Sequence, residues 1–352
     1  MKIHPKLLLC LLLPLALLSC RKSPSSGNDG ANSIYYWRTT FSLNDAERKF
    51  LKQHDIKKMY VRFFDVDYDF YKTNGEVIPS ATIRFKDSVP QGIEVVPTIY
   101  ITTKAMQKMQ TKEDEYAAKI LKRVNAICRQ NKIEPKELQL DCDWTKHTRE
   151  YFFRLCESMK QDLDSSQSLS STIRLHQLTQ TPPPVDKGVL MVYNTGNLME
   201  MTAENSIFSR KDIAPYLRDN RLAEYPLPLD VAYPAYGWSV AFRPKSGGRY
   251  RFHKILRRTD FSSYPELKEV MPNIYEVNST INLNDGGEDA NFLFRDHIIK
   301  VERPTAKEIL EVKRMIDKKL NGKTHNNILY HLDEAQLSHY STHEVSEIYS
   351  RH

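Results

Sequence analysis

The chain has 352 residues, with 51 Lys or Arg against 44 Asp or Glu and a formal net charge of +7. That length suits one large domain or two small ones. The two signs of charge read as interspersed, without a dense Lys/Arg stripe, which argues against nucleic acid as a partner.

The chain opens with Lys2 and Lys6, an apolar run from Leu7 to Leu18, and the ending Leu17-Leu18-Ser19-Cys20. A basic start, a short apolar core and a small residue before the cut predict a secretory signal over residues 1–19. The run falls short of the roughly 20 apolar residues that span a bilayer. Its ending looks like a lipobox, in which Cys20 is lipidated and becomes the new N-terminus. An ordinary cleavable signal that contains Cys20 is the alternative. Removal of Lys2 and Lys6 takes the formal charge from +7 to +5. Residues 20–32 are rich in Ser, Gly and Asn and read as a flexible tether. The expectation is a bacterial lipoprotein whose only membrane contact is the lipid anchor. Arg21 gives no inner-membrane retention cue of the Asp type, which favours the outer membrane.

From residue 33 onward, short β-rich runs alternate with amphipathic helical stretches, the pattern of a parallel sheet with crossover helices. Strands are predicted near Ile34–Trp37, Lys58–Asp65, Ile93–Ile101, Leu138–Trp144, Ser170–Gln177, Val189–Asn194, Pro228–Gly237 and Asn327–Asp333. Helical periodicity places Ala117, Ile120, Leu121, Val124 and Cys128 on one face, and Phe152, Leu155, Cys156 and Met159 on another. Ser42 and Thr305 are the predicted caps of an early helix and a late one. Eight strands with helices between them predict an α/β fold, a (β/α)8 TIM barrel over residues 33–352. Residues 243–303, with paired glycines and no long helical pattern, read as a β-rich insertion between strand seven and the last helix-strand pair. The three cysteines after Cys20 are Cys128, Cys142 and Cys156; without CxxC spacing they read as buried thiols, a single disulfide being the alternative. His253 and His297 lack metal spacing and read as surface residues, and Asn282–Asp289 reads as a turn without the EF-hand register. No metal or cofactor is expected.

The segment Leu140-Asp141-Cys142-Asp143-Trp144-Thr145 is the most informative. Alternate side chains of a strand share a face, so Asp141 and Asp143 point into the barrel together while Cys142 faces the helices. They stand at the C-terminal end of a strand, where such barrels keep their sites. Two neighbouring carboxylates repel unless cations neutralise them. The same alternation aims Arg174 and His176 of strand five, and Tyr60 and Arg62 of strand two, inward. Arg62 and Arg174 are the candidate cations, although a structural salt-bridge network explains such charges too. Aromatic residues at strand ends, Trp37, Trp144, Tyr236 and Trp238 among them, offer flat apolar faces to sugar C–H groups, or else pack under loops.

Asp141-Cys142-Asp143-Trp144 resembles the fourth-strand signature of the chitinase-like, family 18 glycoside hydrolases, Asp-x-Asp-x-Glu. Met191-Val192-Tyr193-Asn194 resembles that family's sixth-strand Met-x-Tyr-Asp segment, and Ala232-Tyr233-Pro234-Ala235-Tyr236-Gly237 its seventh-strand Leu-Pro-x-Tyr-Gly segment. Tyr330 stands where the last strand of the family carries a Trp. The resemblance implies that Asp141, Asp143 and Tyr193 hold catalytic positions. Strand alternation, the aromatic residues at strand ends and the resemblance together give an expected cleft lined by Trp37, Arg62, Trp144, Arg174, His176, Asn194, Asp230, Tyr236, Trp238 and Tyr330. The position of the family's proton donor is Thr145, and a missing general acid costs about 10²–10⁴ in rate. The leading expectation is therefore a glycan-binding barrel without chitinase activity. The alternatives are a hydrolase whose acid is relocated to Asp141, Asp143, Asp65, Asp67 or Asp230, and an envelope scaffold or protein-interaction module.

Overall fold

The computed structural model describes residues 30–350 apart from 284–291 and 321. The signal segment, Cys20, most of the tether and most of Asn282–Asp289 lie outside the described residues. Eight parallel strands form the barrel: β1 (Asn32–Tyr36), β2 (Ile56–Asp67), β3 (Glu94–Ile101), β4 (Glu137–Cys142), β5 (Ser168–Arg174), β6 (Lys187–Met191), β7 (Leu229–Pro234) and a last strand, Asn327–Tyr330. They follow one another around the ring, and it closes because β1 pairs with both β2 and the last strand. All eight predicted strands are present, each ending within a few residues of its expected bounds.

The predicted helices form against the ring. α1 (Asp45–Gln53) starts at a capping box between Asn44 and Glu47, two residues after the expected cap at Ser42. α2 (Glu113–Asn131) and α3 (Arg149–Asp162) bury the apolar faces named above, including Cys128 and Cys156. Cys142 is buried on the outer side of β4, and the three cysteines are free thiols. α4 (Ala306–Leu320) begins where Thr305 and Glu308 exchange hydrogen bonds, and α5 (Thr342–Tyr349) closes the chain. Three crossovers lack a long helix, and the one from β6 to β7 has only short turns of helix within residues 210–224. A segment with a short strand, Ile78–Ser80, antiparallel to β2, carries the chain from β2 to β3, and a single 3-10 turn follows β5.

Between β7 and α4 the chain leaves the barrel as a five-stranded antiparallel sheet. Its strands are β8 (Trp238–Lys245), β9 (Arg249–Leu256), β10 (Leu267–Met271), β11 (Ile274–Val277) and β12 (Ile298–Glu302); the last barrel strand is accordingly β13. The departure is tight: a Cβ on Gly237 would stand 2.8 Å from the Glu302 carbonyl oxygen, so only glycine lets the two ends of the insertion pass so closely. A separate small core of Ala241, Leu256, Phe261, Val277, Leu293 and Ile299 supports this sheet. His297, expected at the surface, is buried against the ring of His253, 5.2 Å away.

Alternation inside a closed ring stacks the inward side chains in layers. The middle layer is Tyr35, Tyr60, Val96, Gln139, Val189, Ala232 and Ile328, with the Tyr35 hydroxyl donating to Gln139 at 2.7 Å. Below it, at the N-terminal strand ends, sits a buried ionic layer. Glu137 accepts from Lys58 at 2.9 Å and Lys187 at 3.3 Å, and Lys187 also reaches Asp230 at 2.8 Å. Asp230 is therefore at the far end of the barrel from any cleft on the C-terminal face. It accepts from the Asn326 backbone there, so both its placement in a sugar site and its candidacy as an acid are corrected.

Burial alone would raise the Glu137 pKa, but Lys187 and Lys58 outweigh it and hold the carboxyl at about 2, against an ordinary 4.5. A carboxyl depressed by folding stabilises fully above its unfolded value and loses that contribution as pH falls toward the folded one. The urea midpoint should therefore drop between pH 4.5 and 2. Glu137→Gln should flatten that dependence while costing about 1–3 kcal/mol at neutral pH, because Lys187 then keeps only Asp230 and Lys58 only Glu94. An unchanged pH profile in the variant would contradict the assignment.

Candidate functional site at the C-terminal mouth of the barrel

The top inward layer comes from the last residues of each strand. Asp141, next to last in β4, is buried and accepts from the Thr172 hydroxyl at 2.7 Å and from Arg174 at 3.1 Å. Asp143 lies just past the strand end, more than half exposed, with the Arg174 Nε 3.9 Å away. The cation that two neighbouring carboxylates require is thus Arg174, placed between them by β5.

Arg62 does not join them. In β2 the register slips between Arg62 and Phe64, so Phe63 is an extra residue and both Arg62 and Asp65 face inward. Arg62 then pairs with Asp65 through two hydrogen bonds, one of 2.7 Å from Nε, and its guanidinium lies 5.5 Å over the Trp37 ring.

Aromatic rings form the other side of the mouth. Tyr330 is central, with ring centroids 5.0 Å from Tyr193, 5.5 Å from Tyr236 and 5.7 Å from Trp37. These offset and tilted contacts are those aromatic pairs favour. Burial and the neighbouring Tyr330 and Tyr35 push the Tyr193 pKa well above its ordinary value, with Arg174 opposing them, so its hydroxyl stays protonated. The Tyr236 hydroxyl donates 2.8 Å to Asn194, which holds a left-handed backbone at φ 54° on the rim. Trp37, Arg62, Tyr100, Arg174, Tyr193 and Tyr330 are all half-buried, so this layer meets solvent.

Three predicted site residues are elsewhere or differently used. His176 is exposed because β5 stops at Arg174, where Gln177 accepts from the Arg174 backbone N–H at 2.8 Å and a 3-10 turn begins. Trp144 is fully buried, packed 5.5 Å from Phe153. It shares the parity of Cys142 and so falls on the helix-facing side, and its carbonyl accepts from Gln177 at 3.1 Å. Trp238 begins the insertion; its ring lies 5.7 Å from Tyr236 and its indole N–H points to Ser206 and Glu302, both at 3.2 Å. It is a hinge post between barrel and insertion as well as a neighbour of the cleft.

Tyr100 is not among the residues expected from the sequence, and Thr172 is expected only as a polar member of the inward face of β5. Both follow from alternation: Val96, Thr98 and Tyr100 share a face in β3, and Tyr100 pairs with Asp141 across the strands. Thr145 occupies the position after Trp144, exposed and committed to the turn that starts α3. Its N–H donates to the Thr148 hydroxyl at 2.9 Å and its carbonyl accepts from Arg149 at 2.8 Å.

The reassignment of Trp144 is open to a direct check. Trp144→Ala should cost about 3–5 kcal/mol by urea denaturation, the usual range for a large aromatic removed from a core. A cost below about 1 kcal/mol would place the ring at the surface.

Neither a protein-family model nor a curated protein matches the sequence. Solved structures do match the fold. The spore cortex-lytic enzyme SleL of Bacillus cereus is 14% identical over 92% of this chain and 75% of its own, with a TM-score of 0.50. SleL of Bacillus megaterium is 12% identical with the same coverage and score. The immunomodulatory active chitinase TsES1 of Trichuris suis is 12% identical over 91% of this chain and 98% of its own, with a TM-score of 0.51. The chain thus has the fold of the chitinase-type (β/α)8 barrels, and the family resemblance carried by its strand-end segments holds at the level of fold.

Proposed function

We propose that this barrel binds a glycan, containing N-acetylhexosamine, in its C-terminal mouth without hydrolysing it. The observation that carries the proposal is a half-buried aromatic wall of Trp37, Tyr330 and Tyr193, backed by the buried Tyr236 and facing the Asp141–Arg174–Asp143 cluster. Aromatic faces take the C–H faces of sugar rings, while carboxylate and guanidinium groups bond the hydroxyls at their edges. By resemblance Asp143 and Tyr193 stand where an acetamido group is oriented and steadied.

Hydrolysis lacks its proton donor. Thr145 is a helix-entry turn residue without an acidic group, and of the relocated candidates at the mouth only the carboxylate of Asp143, exposed and 3.9 Å from Arg174, is not held by a hydrogen bond from a described residue. Asp141 already accepts from Thr172 and Arg174, Asp65 is clamped by Arg62, and Asp67 accepts from Thr102 at 3.2 Å. Spore cortex lysis and chitinase activity belong to proteins with this fold and are not carried over. The envelope reading, a lipid on Cys20 and an outer-membrane location, rests on residues 1–32 of the sequence. The chain enters β1 at the N-terminal end of the barrel, which suits a cleft directed away from the anchoring surface.

Titration calorimetry against chitooligosaccharides and other glycans containing N-acetylhexosamine tests the reading. Binding should weaken by about tenfold or more, some 1.4 kcal/mol, in Asp143→Ala and Tyr330→Ala. An aryl N-acetylhexosaminide should not turn over. Absence of binding across the panel would sink the proposal. Turnover that Asp143→Asn abolishes would favour the hydrolase instead.

A further inference from the structure

The even mixing of charge read along the sequence breaks down in the insertion. Residues 243–258 contain seven Lys or Arg and no Asp or Glu. In the hairpin of β8 and β9, Arg243 stands directly opposite Arg251, and Lys245 opposite Arg249. Cross-strand partners share a face, as do residues two apart. The four cations therefore occupy one face, at the corners of a rectangle about 7 Å along the strands and about 5 Å across them. All four are exposed, and none forms an ion pair with a described residue.

Like charges set opposite each other destabilise a strand pair, so this arrangement works against the hairpin that carries it. The hairpin cannot relieve it by rolling over. Its other face holds Val240, Phe242, Tyr250 and Phe252, packed with Leu198 and Met201 from the loop after β6. The charged end of the hairpin is thus held exposed beyond the second core, into which Ala241 of the same face packs.

We propose that this face docks a linear polysaccharide carrying carboxylate or sulfate groups, at a surface distinct from the cleft. A flat two-by-two array of cations on a rigid sheet fits acid groups repeated along a polymer. With the lipid anchor proposed above, the place of the hairpin in the fold favours a polymer over the lipid surface. β8 leaves the barrel at its C-terminal mouth, with Trp238 against Tyr236, whereas the chain before β1 enters at the opposite end. The cations therefore stand on the cleft side of the molecule.

The full chain, titrated with polygalacturonate, heparin and neutral dextran at low and high salt, tests the proposal and separates carboxylate from sulfate. Binding to at least one acidic polymer is expected, weakening by about tenfold or more with added salt, and none to dextran. The double substitutions R243S/R251S and, at the hairpin tip, K245S/R249S should each lose about tenfold or more with circular dichroism unchanged. The cleft variant Asp143→Ala should keep this binding, so failure of the glycan cleft and failure of the hairpin are read separately. No binding to either acidic polymer, or undiminished binding in a folded double variant, would overturn it. Equal affinity for double-stranded DNA or for vesicles of anionic phospholipid would overturn it too, because the face would then be a general polyanion binder.

Discussion

Charge compensation inside a closed ring governs this protein. Alternation sends every second side chain of eight strands into one enclosed space, and several of them are Lys, Arg, Asp or Glu. An unpaired charge there is far costlier than at a surface. The structure answers with two compensated layers, Lys58, Lys187, Glu137 and Asp230 at one end, and Arg62, Arg174, Asp65 and Asp141 at the other. Between them Tyr35, Tyr60 and their neighbours fill the bore.

The two layers differ in what they can do. The lower one is closed off, and its carboxylates and ammonium groups pair with one another, so it acts as an electrostatic plug. The upper one opens to solvent with Asp143 exposed and the aromatic wall beside it. The same pairing that stabilises this layer also shapes its chemistry. Carboxylates held by Arg174 and Arg62 are fixed in direction, which suits them to orient a polar ligand. With a turn residue at the acid position, this mouth is the surface on which the proposal of binding without cleavage rests.

The insertion adds a second kind of surface. It is anchored where Gly237 lets its two ends pass and where Trp238 and Glu302 meet. One face of its first hairpin packs along its length, and the other packs at Ala241 and carries uncompensated charge at its outer end.

By itself the sequence determined the eight strands, their parity and hence the inward direction of Asp141, Arg174, Tyr60 and Arg62. These depend only on period-two alternation and on turns that interrupt it. It determined as well that position 145 carries no acid, and its strand-end segments pointed to a chitinase-type barrel. Only the tertiary structure decided which charges meet. The extra residue Phe63 turned Arg62 toward Asp65 and away from Asp141. The end of β5 at Arg174 put His176 outside, and strand depth put Asp230 at the wrong end. Trp144 could have been placed from its parity with Cys142, but strand ends and bulges are set by hydrogen bonds to neighbouring segments. Local sequence carries no record of those partners, because they come from far along the chain and meet only when the ring closes.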